Sequence, residues 1–196
     1  MSPYPSRRHL FLTFAATACR PPIEPELLPD AGQLPDFSLF TETGTPFFRR
    51  DLAGKAWVMD FIFTRCTLVC PRLTTQMRAI EQQVDSLPVG LLSISIDPEY
   101  DTPQRLRAYA ALHNARAPRW RFLTGEKAAI RALQVKTQRH LDPEEITAHS
   151  KQFYLLDGEG YIRGIYSMTV PGKRREILED LRKLLRNPAR PEPGEA

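Results

Sequence analysis

The sequence has few cysteines, little net charge and no long apolar segment near its start. It contains 196 residues, of which three are cysteines, and its formal net charge is +4. A secreted domain held together by disulfides usually has four or more cysteines, so we expect no disulfide framework. The mostly apolar run 10–18 is too short to cross a bilayer, which takes about 20 residues. With 42% hydrophobic residues, the chain can still form one ordinary core.

The basic residues near the C-terminus do not indicate a nucleic-acid interface. Lysines and arginines recur through the stretch 173–186, but Glu176, Glu179 and Asp180 are interspersed among them. Mixed charges on one amphipathic segment are typical of a solvated helix face. Because no DNA- or RNA-binding signature accompanies them, we expect no nucleic-acid partner.

Residues 1–19 are predicted to be an export signal or a lipoprotein signal. Ser6-Arg7-Arg8 followed by apolar residues resembles a twin-arginine signal. The segment 16–19 resembles a bacterial lipobox in which Cys19 would carry the lipid, although Ala16 stands where leucine is usual. An ordinary signal peptide with an incidental cysteine remains open. Either form predicts export to the periplasm or to the outer face of the bacterial cytoplasmic membrane.

The two ends of the chain are predicted to be extended. Residues 20–34 contain many prolines, which disfavour the interiors of helices and strands, and we interpret them as a tether to the membrane surface. Residues 188–196 are interpreted as a flexible tail. The domain itself is predicted to span residues 35–187.

Within that domain the order of elements predicts an α/β fold. The largely apolar run 56–63 is typical of a strand buried on both faces. Apolar residues at helical spacing predict helices, beginning with 73–87. The order suits a thioredoxin-like fold with extra N-terminal strands and a mid-chain insertion. The other predicted strands are 37–40, 46–48, 89–97, 120–125 and a hairpin over 151–167, and the other predicted helices are 102–114, 126–135 and 171–187.

Cys66 and Cys70 are the residues that indicate chemistry. They stand four residues apart, just after the strand 56–63 and before a predicted helix. Residues at this spacing on a helix share a face about 6 Å apart, which suits a shared metal ion or a redox disulfide. A disulfide closing so short a loop would stabilise the fold very little. A helix N-terminus and Arg65 would favour the thiolate, which is both the metal ligand and the nucleophile.

The histidines decide which metal two thiolates would suit. Thiolates are soft donors, and a structural zinc site would need four protein ligands. Copper(I) is satisfied by two thiolates and one imidazole. We predict His149 as that imidazole, because it stands just before the strand 151–157, in a loop entering the sheet. His113 is interpreted as a helix C-terminal cap, and His140 lies in a polar stretch.

At these residues the chain resembles the Sco/SenC family, the copper chaperones used in building cytochrome c oxidase. The resemblance covers roughly residues 35–185. Residues 63–71 fit the family pattern Phe-Thr-x-Cys-x-x-x-Cys-Pro. The segments "SIDPEYDTPQRLRAY", "FLTG" and "HSKQFYLLDGEG" fit three further family motifs in the same order.

The resemblance implies a thioredoxin-like fold that holds one copper ion, Cu(I) or Cu(II), per domain. It implies Cys66, Cys70 and His149 as the ligands, with Asp97 and Asp101 close to the site or facing a partner. The aspartates would also serve as turn and cap residues without any metal.

The chain departs from the family pattern at two places. Ala148 stands where the family usually has aspartate before the histidine. Residues 67–69 lack the polar residues often found between the cysteines.

The function implied by the resemblance is copper delivery to the dinuclear copper site of a cytochrome c oxidase subunit. A second periplasmic copper carrier or a thioredoxin-like reductant would be a further partner. The alternative is a thiol–disulfide reductase that keeps the oxidase cysteines reduced, with Cys66 attacking and Cys70 resolving the mixed disulfide. A thiol peroxidase is the third hypothesis, and it would need only one activated cysteine.

Overall fold

A run of seven buried residues forms the central strand of the sheet. In the computed structural model, which describes residues 27–138 and 151–189, this strand is β3, Ala56–Ile62, and each of its residues is buried. The next strand, β4 (Val89–Ser95), is equally buried and pairs with β3 in parallel. Apolar runs without alternation are typical of parallel strands covered on both faces.

Five further strands extend the sheet on both sides of this pair. The order across the sheet is β2-β1-β5-β4-β3-β6-β7. β5 is parallel to β4, whereas β1 and β6 are antiparallel to their inner neighbours β5 and β3. These strands are β1 (Ser38–Thr41), β2 (Pro46–Phe48), β5 (Trp120–Thr124), β6 (Gln152–Leu156) and β7 (Ile162–Ser167).

Helices cover both faces of the sheet and create two apolar layers. On one face pack α1 (Cys70–Gln83), α2 (Pro103–Leu112) and α4 (Lys173–Arg186). On the other face pack α3 (Lys127–Thr137) and the 3-10 helix Arg49–Leu52. The predicted α/β fold is confirmed.

Local signals in the sequence determine where the helices begin and end. Thr102 caps α2 by accepting a hydrogen bond from the Arg105 N–H at 3.4 Å, and His113 is its C-cap residue. α1 begins at Cys70, three residues before the predicted start, because Pro71 occupies the first turn, where no N–H is needed. Cys70 therefore belongs to a helix and Cys66 to the loop before it.

Residues 28–34, which were predicted as part of the tether, pack on the domain. Leu28 and Leu34 are buried, and Leu34 N–H donates to the Gly160 carbonyl at 2.9 Å. The extended segment thus reaches the domain before residue 35, because it adds a short antiparallel pairing beside the β6–β7 turn. Within residues 27–138 and 151–189, no helix has the length and apolarity to span a bilayer.

Candidate metal centre

The two cysteines lie where adjacent parallel strands end at the same edge of the sheet. β3 and β4 pair in register from Ala56 with Val89 to Ile62 with Ser95. The loops that follow both strands consequently meet at one pole, which we call the cysteine pole. Such an edge collects functional residues in open α/β sheets.

Cys66 lies in the loop after β3 and is held as a hydrogen-bond acceptor. The Cys70 N–H points at its sulfur, with an N to Sγ distance of 3.4 Å. Burial on its own would raise the pKa of Cys66, but the N–H groups of Leu68, Val69 and Cys70 and the Cys70 thiol donate toward the sulfur. The net result is a lowered pKa for Cys66, so its thiolate is the more accessible of the two.

Cys70 has the opposite character. It is the first residue of α1 and is 2% exposed. Burial, and then the neighbouring Cys66 and Asp60, raises the pKa of the Cys70 thiol to about 12. Both thiols are free, and their pKa values are shifted in opposite directions, downward for Cys66 and upward for Cys70.

Asp101 ties the cysteine loop to the loop after β4. It is fully buried and accepts from the Thr64 N–H at 3.0 Å, from the Thr64 hydroxyl and from the Ser95 hydroxyl at 2.5 Å. Its own N–H donates to the Asp97 carbonyl at 2.8 Å. With its oxygens engaged in this way, Asp101 lies behind the cysteine loop and not on the surface.

Asp97 is the aspartate at the rim of the pole. Its Oδ2 accepts from Arg65 Nε at 2.9 Å and from Nη2 at 2.5 Å. The Arg65 guanidinium also lies 4.5 Å from the centre of the Tyr100 ring. The Arg65–Asp97 pair therefore fixes the residue directly before Cys66.

The histidines divide between the described and the undescribed parts of the chain. His140 and the predicted ligand His149 lie outside the described residues, as does Cys19. His113 ends α2, and its ring lies 4.5 Å from that of Tyr109. Burial lowers the pKa of His113. In the described ranges, histidine, cysteine and acidic side chains form no cluster of three or more that could hold a metal ion.

The donors that are described fit a soft metal ion. They are two sulfurs on one loop–helix junction, and the pKa of one of them, Cys66, is lowered. A soft, low-coordinate ion such as copper(I) suits two thiolates, whereas zinc would need further protein ligands. The described part of the site is thus a two-sulfur platform.

The sequence analysis missed two residues that surround the thiols. Asp60 is buried in the middle of β3, and the Tyr109 hydroxyl lies 2.8 Å from the Thr74 hydroxyl, which in turn donates to the Cys70 carbonyl at 2.8 Å. A signal for Asp60 was present, because it is the one charged residue in the run 56–63. No sequence pattern links Tyr109 to Cys70.

Comparisons with known proteins place this dithiol α/β domain in a family. The SCO1/SenC family model matches residues 28–186. A crystal structure of a SCO1/SenC family lipoprotein from Bacillus anthracis is 30% identical, with a TM-score of 0.68, over 78% of this chain and 94% of that one. The chain belongs to the SCO1/SenC family.

Two further solved structures are similar. BsSco, described as a member of the Sco family of cytochrome c oxidase assembly proteins with a disulfide switch, is 26% identical with a TM-score of 0.70, over 81% of this chain and 97% of that one. Yeast Sco1 with copper bound is 22% identical with a TM-score of 0.65, over 83% and 96% of the two chains. These matches confirm the thioredoxin-like fold.

Proposed function

We propose that this protein is an exported copper chaperone that delivers one copper ion to the dinuclear copper site of a cytochrome c oxidase subunit. Cys66, Cys70 and His149 would bind the ion. The observation that carries the proposal is the pair of free sulfurs at one loop–helix junction, one of them with a lowered pKa. Family membership supports it, as do the copper bound to yeast Sco1 and the assembly role stated for BsSco.

The two sulfurs would make unequal contributions to binding and release. Cys66 can bind as a thiolate, whereas Cys70 must first lose its proton, so copper affinity should fall as the pH falls. Three protein donors leave room for a thiolate of the acceptor to enter and replace them stepwise. The hydrogen bonds from Thr64 to Asp101 would hold the loop in place during this exchange.

The position of the N-terminal segment would determine how a membrane-attached domain is oriented. Residues 28–34 pack beside the β6–β7 turn, at the amino end of β3, whereas Cys66 follows its carboxyl end. Seven strand residues separate these poles by about 20 Å. A tether or a lipid at Cys19 would then direct the cysteine pole away from the membrane. The similar B. anthracis protein is described as a lipoprotein.

Copper titration of single variants tests the proposal. We expect Cys66→Ser and Cys70→Ser to abolish tight copper(I) binding, and His149→Ala to weaken it and change the copper(II) spectrum. His113→Ala is the matched control, because that ring packs on Tyr109, and it should bind as the wild type does. Unchanged affinity in both cysteine variants would refute the copper proposal.

A second candidate function, thiol–disulfide reduction, is favoured by the unequal thiols. A lowered pKa at Cys66 and a raised pKa at Cys70 suit an attacking and a resolving thiol, respectively. The disulfide switch described for BsSco supports this candidate. Reduction of a model disulfide at the wild-type rate by His149→Ala would favour it, because this chemistry does not use the imidazole.

A further inference from the structure

A groove lined by arginines lies between α1 and α4, and we call it the arginine groove. Its volume is about 440 Å³, which is the size of a ligand pocket and too small for a folded domain. α4 contributes Arg174, Arg175 and Arg182, and all three side chains are exposed. α1 contributes Gln76 and Gln83.

The positive charge of the arginine groove is almost unopposed. Arg174 Nη1 donates to the neutral Gln76 side chain at 2.9 Å, and Arg182 has no ion pair within residues 27–138 and 151–189. Arg175 Nε lies 3.6 Å from Glu179 Oε1, and both side chains of this pair are more than half exposed. Such pairs are weak. Because no acidic residue of the described chain lines the groove, its potential would attract carboxylates.

The remaining acidic residues of α4 have basic partners of their own. Glu176 Oε2 lies 2.6 Å from Lys173 Nζ, and Asp180 Oδ1 lies 3.2 Å from Lys183 Nζ. Asp180 Oδ2 also accepts from the Tyr166 hydroxyl at 2.9 Å. These carboxylates are therefore engaged outside the groove and leave its charge in place.

Apolar side chains accompany the arginines. Arg174, Leu178 and Arg182 recur every four positions, so they lie on one side of α4. Leu178 is buried, whereas Val170, in the loop before α4, is 48% exposed and also lines the groove. An apolar side chain of a bound segment could cover Val170, which would remove apolar surface from water.

The arginine groove adjoins the cysteine pole. β6 runs antiparallel to β3, and Gln152 at its start pairs with Ser167 at the end of β7. The loop 168–172, which lines the groove, therefore lies at the edge of the sheet where β3 ends. Gln76 is one and a half turns from Cys70 along α1, which corresponds to about 9 Å along the helix axis. A protein held in the groove would thus contact the domain beside the thiols.

An acidic protein segment fits the arginine groove better than a membrane surface does. Residues 28–34 pack at the opposite pole, so a tether leading from them would direct the groove away from the membrane. An extended segment can enter a concave groove, whereas a flat bilayer cannot. Arginine forms paired hydrogen bonds with carboxylates, and the amides of Gln76 and Gln83 can bond to peptide groups.

We propose that the arginine groove docks an acidic segment of the protein that receives copper at the cysteine pole. The inference rests on the proposed function, because that function names the acceptor as the copper-site subunit of a cytochrome c oxidase. Docking would hold the acceptor's copper site beside Cys66 and Cys70 while the ion passes between the two proteins. The groove would determine which partner associates, and how fast, without binding copper itself.

Binding of the soluble copper-site domain of the oxidase subunit from the same organism tests the inference. Surface plasmon resonance measures its affinity for the metal-free, full-length protein at low and at physiological ionic strength. In the double variant Arg174→Gln, Arg182→Gln, we expect the dissociation constant to rise about tenfold or more, with slower association at low ionic strength. Added salt should weaken wild-type binding more than it weakens binding by the double variant.

Arg107→Gln is the matched control, because Arg107 is an exposed arginine of α2 outside the groove. It loses the same type of charge and should bind the domain as the wild type does. Equal losses in Arg107→Gln and in the double variant would show that only the total charge matters, which would overturn the proposal. Wild-type affinity in the double variant, or no binding by the wild type, would also overturn it.

Copper(I) titration separates this inference from the proposed function. The double variant should bind copper as tightly as the wild type does. Normal copper binding together with normal docking in the double variant would overturn the groove proposal alone, whereas a wild type that binds no copper would overturn the proposed function. Phosphatidylglycerol vesicles test the membrane as the occupant. If the double variant lost binding to the vesicles but kept binding to the domain, the docking proposal would be wrong.

Discussion

Arg163 and Asp60 are both completely buried charged residues on strands of one sheet, yet their surroundings differ. Arg163, near the start of β7, donates to the Leu28 and Pro29 carbonyls at 3.1 Å, to Asp157 Oδ2 at 3.3 Å, and to two carbonyls of the C-terminal segment. Asp60 receives one side-chain hydrogen bond, from Ser93, and one of its oxygens receives none from the described residues.

The difference separates a buried charge whose hydrogen bonds are all made from a buried carboxyl group that has one oxygen without a partner among the described residues. Arg163 joins the N-terminal segment, the hairpin turn and the C-terminal segment at the pole remote from the cysteines. Asp60 lies on the face of the sheet that packs against the cysteine-bearing layer, and burial raises its pKa to about 7. We infer that one pole of the fold stabilises the domain while the other carries its chemistry.

The largest expected effect comes from breaking the structural pole. Arg163→Met would leave Asp157 Oδ2 and four carbonyl oxygens without the hydrogen bonds that Arg163 donates, so we expect a loss of about 3–5 kcal/mol in the free energy of unfolding. Chemical denaturation measures it. Arg175→Met is the matched control, because the Arg175 side chain is 84% exposed, and it should change stability by less than about 1 kcal/mol. If Arg163→Met were as stable as the control, the pole that contains Arg163 would not be the one that stabilises the domain.

The second effect is a change in how stability depends on pH. The pKa of Asp60 is raised from 3.8 to about 7 on folding, so between these values the folded state retains a proton that the unfolded chain releases. Asp60 therefore lowers the free energy of unfolding progressively as the pH rises from about 4 to about 7. Above about pH 7 this contribution no longer changes with pH. Three pKa units set an upper limit of about 4 kcal/mol.

Asp60→Asn removes this contribution, because an amide does not titrate. Denaturation at pH 4 and at pH 8 should show the variant gaining stability relative to the wild type at the higher pH. A difference between the two proteins that stays constant with pH would mean that Asp60 titrates normally.

A smaller effect is expected from loosening the cysteine loop. Asp101→Ala would leave the buried Thr64 N–H and the Ser95 hydroxyl without their acceptor, which should cost about 1–3 kcal/mol. It should also raise the pKa of Cys66, since the loop N–H groups would no longer be held toward its sulfur. Iodoacetamide labelling against pH measures that pKa. If Cys66 of the variant were labelled with the same pH dependence as in the wild type, Asp101 would not position the loop.

The smallest effect is expected at the rim. The Arg65 side chain is 57% exposed, and exposed ion pairs contribute little, so Arg65→Ala should cost less than about 1 kcal/mol. Labelling of Cys66 should change less than in Asp101→Ala. If Arg65→Ala and Asp101→Ala changed the labelling of Cys66 equally, the exposed ion pair would position the loop as strongly as the buried carboxylate does. That result would contradict the structural comparison.

The elements that the sequence predicted well are those set by local patterns. The buried run of β3, the Thr102 cap and the position of Cys66 after the strand all follow from residues close together in the chain. Contacts across the fold were not predictable in this way. The bond from Thr64 to Asp101 joins residues 37 positions apart, and Arg163 joins segments more than 130 residues apart. The role of His149 as a ligand stays a prediction.

X-ray absorption at the copper edge tests the central claim most directly. The full-length protein loaded with one equivalent of copper(I) should show two sulfur donors and one nitrogen donor, and the nitrogen should disappear in His149→Ala while both sulfurs remain. Identical spectra for the wild type and His149→Ala, or a spectrum without sulfur donors, would contradict a site built from Cys66, Cys70 and His149.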